Sequence, residues 1–222
     1  QRATMSEQSS SERCSLVVLI SGSGSNLQAI IDAQQHPGYP AEIIAVISNK
    51  SGVKGLERAS NAGIATEIIS HQNYPNRESY DAELARVIDR YNPCLVILAG
   101  FMRILTDGFV NRYAGRMLNI HPSLLPKYKG LNTHQQAIDA GDKEHGATVH
   151  FVTPALDSGP LIIQARVPVL EDDTADALAA RVLEKEHIIY PRAIAQVASG
   201  QVTLENEVVS FNGEQLSGPQ QL

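Results

Sequence analysis

A chain of 222 residues, 43% of them hydrophobic, can bury one sizeable core, and that length favours a single α/β domain over two. The net charge of −6 and pI near 5.6, with 18 Lys and Arg scattered along the chain, argue against a nucleic-acid groove or an anionic membrane surface and leave small molecules as expected partners. No apolar run reaches the roughly 18 residues of a membrane-spanning helix, and no signal-peptide core opens the chain.

The two cysteines, Cys14 and Cys94, lack metal-ligand spacing and adjoin apolar runs, so both are expected to be reduced and packed, in a cytoplasmic protein. Residues 1–13 are polar, rich in Ser and Gln, and read as a disordered lead. Residues 15–20 then form a continuous apolar run of strand length, the pattern of a parallel strand buried on both faces. The run ends in Ser21-Gly22-Ser23-Gly24-Ser25-Asn26, and helical spacing follows over 27–34. A strand, a glycine-rich turn and a helix N-terminus make an anion site, because glycine admits close N–H approach and the helix dipole favours negative charge. The third glycine of a dinucleotide fingerprint is missing, and the second strand, 42–48, ends without the acidic residue that would hold a ribose. The pattern therefore points to a phosphate monoester, with a ligand-free tight turn as the alternative.

Helical spacing returns over 53–61, closed by Gly63, and 65–69 makes a third strand. A helix over about 76–91 places Tyr80, Leu84, Val87 and Ile88 on its apolar side, and the fourth strand is 94–99, followed by the turn 100–105. If the first three strands lie in the order 3-2-1, the fourth sits beside the first across the topological switch point, where open α/β sheets bind ligands. After a weaker helical stretch at 107–113, the fifth strand leads into Asn119-Ile120-His121-Pro122. Asn119 is an amide donor and His121 an acid–base group; two apart in an extended segment, they face one side about 7 Å apart along the backbone. Acyl transfer needs such a pair, one donor for a developing oxyanion and one group that moves protons. Alone, the pair also fits a strand-end turn with satisfied polar groups.

A short helix at 133–140 and a strand at 146–153 come next. The loop 154–160 carries Asp157 as a surface charge, and a strand runs over 161–169. His145 and His150 on the sixth strand read as packed or solvated, and His134 as local structure. Residues 172–174 supply N-cap candidates for a long helix to about 200, which Pro191 kinks or divides. A hairpin over 201–211 turns at Glu205-Asn206, and 213–222 is expected to be a loose tail. The folded domain is thus read as 14–212.

Taken together, the motifs at 21–28, 99–105, 118–130 and 144–159 resemble the phosphoribosylglycinamide formyltransferase family of folate-dependent enzymes in purine synthesis, over about residues 15–200. The resemblance implies an α/β fold of one domain: a mostly parallel twisted sheet flanked by helices, with a Rossmann-like N-terminal half. It implies formyl transfer from 10-formyltetrahydrofolate to the amine of 5′-phosphoribosylglycinamide, with Asn119, His121 and Asp157 as the catalytic trio. Gly24, Ser25 and Asn26 would bind the substrate phosphate and Glu186 the glycinamide side. Arg77, Met102, Arg103, Ile104 and Leu105, together with Asn119, would contact the folate. No metal is required, and a monomer or homodimer is expected. Ser23 and Lys129 depart from the family pattern, where Asn and Pro are common. The rival readings are a formyltetrahydrofolate hydrolase, against which the phosphate loop argues, and a non-catalytic nucleotide-binding module, which has no need of the trio.

Overall fold

The computed structural model describes residues 13–222, so the expected disordered lead lies, apart from Arg13, outside the described residues. The apolar run forms β1 (Cys14–Ile20), followed by α1 (Ser25–Gln34), β2 (Ala41–Ser48), α2 (Lys54–Asn61), β3 (Ala65–Ile68), α3 (Arg77–Tyr91) and β4 (Leu95–Leu98). Next come α4 (Asp107–Arg112), β5 (Met117–His121), α5 (Thr133–Asp139), β6 (Glu144–Phe151), β7 (Leu161–Pro168) and the long α6 (Ala175–Ala198). The chain closes with β8 (Val202–Glu205), β9 (Val208–Phe211), β10 (Glu214–Gln215) and β11 (Gln220–Gln221).

Eight strands form one sheet in the order β11-β7-β6-β5-β4-β1-β2-β3. The first five strands of the chain pair in parallel, in the expected 3-2-1-4 order. β6 reverses direction and runs antiparallel to both β5 and β7. Parallel pairing buries both faces of β1: Leu16, Val18 and Ile20 join one core cluster, Val17 and Leu19 the other. The first cluster is completed by α1, α5 and α6, the second by α3 and α4. Helix starts follow local side-chain chemistry: the Asn76 side chain accepts the Ser79 amide and Thr106 and Thr174 cap α4 and α6 likewise.

Three expectations are corrected. The C-terminal segment is not a loose tail: β10 extends the small β8–β9 sheet, and β11 adds a parallel strand beyond β7, with Gln220 opposite Ile163. Unpaired edge groups of β7 take up the chain end, an outcome set by where the sheet edge falls. Pro191 does not divide the long helix; α6 runs through it, since the ring removes only one backbone donor and Ile189, Tyr190, Ala193 and Ile194 around it are packed in the core. Cys94 is exposed rather than packed, because it precedes β4 instead of lying within it. The hairpin forms, with its turn one residue later than read: β8 and β9 pair antiparallel with Glu205 still in the ladder, and Asn206 and Glu207, rather than Glu205 and Asn206, take positive φ, 49° and 63°, the pairing that a two-residue hairpin turn requires.

The loop between β6 and β7 is held by a close backbone approach. Phe151 donates to the Pro160 carbonyl at 2.9 Å, and a Cβ at Gly159 would lie 1.8 Å from the Phe151 carbonyl oxygen. Only glycine fits there. Gly159→Ala should displace the loop, lowering stability by about 1–3 kcal/mol, read as a drop in Tm, because the clash is with backbone that cannot rotate away.

Candidate active site

β5 carries Asn119 and His121 to the carboxyl end of the sheet, with Asn119 opposite Leu98 of β4 on one side and His150 of β6 on the other. Met117 packs in the α3/α4 core, whereas Leu118 and Ile120 pack in the α6 core, so strand alternation puts Asn119 and His121 on the Met117 side. His121 is buried. Its Nε2 donates to the Tyr128 carbonyl at 2.8 Å, and its Nδ1 lies 3.5 Å from Asp157 Oδ2. Neutral imidazole has one N–H and satisfies only one of these acceptors; the doubly protonated ring satisfies both.

Asp157 is not the surface charge its loop composition predicts. It is 9% exposed, takes φ 49°, and its Oδ2 accepts the Gly130 amide at 2.9 Å. A carboxylate out of water needs partners, and here a backbone N–H and the His121 ring supply them. The other oxygen, Oδ1, stands 3.9 Å from Nε2 of His150, a buried nitrogen without a hydrogen-bond partner, while Nδ1 of His150 donates to the Phe151 carbonyl at 3.0 Å. Burial lowers the pKa of His150, which keeps it neutral beside the acid. His150 is packed, as expected, but it also belongs to the wall of the site. His134, half-buried, and His145, buried, are bonded Nδ1 to Nε2 at 3.1 Å; burial lowers both and pushes His145 down to about 4, so this pair is a neutral tether.

Residue spacing gives little sign of the groups that hold the 122–130 turn in place. Thr148 Oγ1 donates to the Ser123 carbonyl at 2.7 Å and accepts the Leu125 amide at 3.1 Å, while Gln164 Nε2 donates to the Leu125 carbonyl at 2.8 Å. These residues sit on β6 and β7, and only the antiparallel register brings them under the turn. Their one sequence signal is polarity within otherwise apolar strands. Lys129, a departure from the family pattern, reaches Ser158 Oγ at 2.8 Å and so ties the turn to the Asp157 loop.

On the neighbouring side, Gly24 caps α1 with φ 71°. A Cβ there would lie 2.6 Å from Cα of Gly55, and the Gly55 amide donates to the Gly22 carbonyl at 3.0 Å. The glycine at 24 is therefore required by the contact between this turn and α2, whether or not a ligand is bound. Ser23, the other departure, is exposed and offers its carbonyl to Arg58 Nε at 2.8 Å. Asn26 Nδ2 donates to Glu186 Oε1 at 3.1 Å, joining the glycine turn to α6. Burial pushes the Glu186 carboxyl up to about 7, against the opposing effect of the Asn26 amide. Oδ1 of Asn26 is buried without a partner.

The turn 100–105 is fixed at both ends: the Met102 amide donates to Ser21 Oγ at 2.8 Å, and the Thr106 amide to Asp81 Oδ2 at 2.7 Å. Ser21 in turn donates to Asn49 Oδ1 at 2.6 Å, so one hydroxyl links the ends of β1 and β2 to this turn. Arg103 stacks over Tyr80 at 4.3 Å, and Met102 and Ile104 hold their side chains in solvent. An open cleft of about 900 Å³ lies between this turn and α3, lined by Arg77, Ile104, Leu105 and Phe109 and closed by Pro154. The catalytic candidates are not among its lining residues. The structure thus joins His121 to Asp157 and Asn26 to Glu186, and sets Arg77, Ile104 and Leu105 around one cleft. Among the described residues, no cluster of three or more His, Cys, Asp or Glu could hold a metal ion, and no helix is long and apolar enough to cross a membrane.

Polar groups at the carboxyl ends of β1, β4 and β5, on a mostly parallel sheet closed by an antiparallel β6, define a family. The chain belongs to the formyl transferase family, which matches residues 14–194. It is 54% identical over 201 residues to the phosphoribosylglycinamide formyltransferase of Escherichia coli strain K12, covering 90% of this chain and 95% of that one. It is 49% identical over 193 residues to the human trifunctional purine biosynthetic protein adenosine-3, covering 87% of this chain but 19% of that longer protein. The solved structure of the phosphoribosylglycinamide formyltransferase from Coxiella burnetii matches with a TM-score of 0.90 at 50% identity, over 95% of this chain and 100% of the other.

The raised pKa of Glu186 has a pH signature. The folded state holds the proton more tightly than the unfolded state, so this group's stabilisation is fully present below about 4.5 and is lost as pH rises to about 7. Denaturant midpoints measured across that window should fall for the wild type, and Glu186→Gln, which cannot ionise, should remove this part of the slope.

Proposed function

We propose that the protein transfers the formyl group of 10-formyltetrahydrofolate to the amine of 5′-phosphoribosylglycinamide. The observation that carries the reading is the His121–Asp157 pair beside Asn119, in a chain of the formyl transferase family. The neutral amine attacks the formyl carbon, and negative charge gathers on the formyl oxygen in the tetrahedral intermediate. Asn119 donates to that oxygen from the strand end. With Nε2 donating to the Tyr128 carbonyl, Nδ1 carries a proton only in the imidazolium, and its long 3.5 Å contact with Asp157 leaves that N–H to be shared with a substrate oxygen. Asp157 stabilises the resulting imidazolium by direct attraction, and the Tyr128 carbonyl fixes the ring. The His121 imidazolium gives its Nδ1 proton to the departing folate nitrogen and takes up the proton that the attacking amine loses, so the ring ends as it began.

Gly24, Ser25 and Asn26 hold the ribotide phosphate at the α1 N-terminus, where free backbone N–H groups and the helix dipole favour an anion. Glu186, held by Asn26, faces the glycinamide side. The folate lies along the 100–105 turn, whose backbone is fixed by Ser21 and Asp81, with Arg77, Met102, Arg103, Ile104 and Leu105 in contact.

Loss of formyl-folate absorbance that depends on added glycinamide ribotide tests the reading; loss without the ribotide would instead mean that water is the acceptor. Removing one oxyanion donor by Asn119→Ala should cut kcat by about 10²-fold while ribotide binding persists. Asp157→Asn keeps an oxygen for the Gly130 amide but removes the charge beside His121, and should lower kcat/KM by about 10²–10⁴-fold. Steady-state kinetics with each variant check both values, and near-normal turnover in either would remove that residue from the mechanism.

A further inference from the structure

The opposite end of the sheet carries chemistry that formyl transfer does not use. β1 and β4 lie side by side in parallel, with Leu16 opposite Leu95. One step earlier the Cys94 amide donates to the Ser15 carbonyl at 2.8 Å and to Ser15 Oγ at 3.1 Å. Cys14, the first residue of β1, is thus one position diagonal from Cys94. Strands about 4.8 Å apart with a rise of about 3.3 Å per residue set the two Cα atoms about 6 Å apart, inside the roughly 4.4–6.8 Å that a disulfide spans. Both thiols are free, and each is close enough to bear on the ionisation of the other.

The two sulfurs have unlike surroundings. Cys94 is exposed, and the Ser15 backbone, the Ser15 hydroxyl, the Cys14 thiol and the Arg116 charge hold its pKa below the ordinary value, although burial opposes them. Arg116 is kept there by its hydrogen bond to the Pro93 carbonyl at 3.1 Å. Cys14 is half-buried, and burial pushes its thiol up to about 12. An exposed sulfur biased to thiolate, backed by a protonated thiol within covalent reach, has the makings of an attacking and a resolving cysteine.

We propose that Cys94 and Cys14 form a thiol–disulfide exchange site for low-molecular-weight disulfides, at the amino ends of β1 and β4. The Cys94 thiolate attacks one sulfur of the disulfide RSSR, breaking its S–S bond and releasing RS⁻. The Cys14 sulfur, giving up its proton to solvent, then attacks the Cys94 sulfur and expels the second RS⁻. Both released thiolates take up protons at neutral pH. Two protein thiols become one disulfide while RSSR is reduced to two RSH. The bond would cross-link two central strands at the end remote from Asn119 and His121.

Incubation of the folded protein with oxidised glutathione, followed by intact-mass measurement and peptide mapping, tests this. The wild type should lose the mass of two hydrogens, carry no adduct, and yield a Cys14–Cys94 linked peptide that dithiothreitol reverses. Cys14→Ser should keep one glutathione on Cys94, because no resolving thiol remains. Cys94→Ser should react at least tenfold more slowly, since the remaining thiol is half-buried and protonated. A wild type that stays unmodified, or that accumulates glutathione without an internal bond, would overturn the proposal. So would a Cys94→Ser variant that reacts as fast as Cys14→Ser.

Discussion

The position of β5 between two neighbours of opposite direction is the constraint on which the rest of the site depends. Parallel pairing with β4 sets Asn119 level with Leu98, and antiparallel pairing with β6 sets His121 opposite Thr148 and Asn119 opposite His150. Because β6 runs back along β5, it sets Thr148 and His150 beside His121 and Asn119 and ends opposite Leu118, and the loop that follows turns back to bring Asp157 to the His121 ring. A parallel β6 would have required a long crossover after β5. The reversal of strand direction thus lines the end of β5 with polar residues of β6, and the returning loop adds the Asp157 carboxylate beside His121.

Polar groups taken out of water around that strand end must be satisfied, and the accounting explains the residues around the site. Asp157 has the Gly130 amide and the His121 ring, and His121 has the Tyr128 carbonyl. The turn that supplies Tyr128 and Gly130 is held by Thr148 and Gln164 from beneath. Hydrogen bonds in this low-dielectric setting support one another, so the orientation of His121 rests on groups with no hydrogen bond to its own ring. Ser21 has the same part on the neighbouring side, where one hydroxyl bonds both Asn49 and the Met102 amide. Glu186 differs: with one amide partner and deep burial, it keeps its proton near neutrality.

The elements themselves were legible. Residues 15–20 could only be a buried strand, Asn76 and Thr174 announced helix starts, and Asn206 marked the hairpin turn that β8 and β9 make. Asn119 and His121 were readable as a pair because a strand alternates with period two, a property of the backbone alone. Resemblance of the separated motifs carried the functional reading further than spacing could, since it linked Asp157, Glu186 and Arg77 to segments far along the chain.

Sequence by itself determined the local periods, the capping and turn residues, and the grouping of motifs, because these depend on neighbours within a few positions. The tertiary structure decided what depends on which strand lies beside which. It buried Asp157, although loop composition reads as surface, and set Gly24 against Gly55, so that the turn glycine answers to packing. It carried the chain end onto the edge of β7 as β11, where composition alone reads as a free tail. Contacts such as Asn26 with Glu186, 160 positions apart, have no local signature. They arise because burying every strand of a parallel sheet permits few arrangements, and the one adopted brings these ends together.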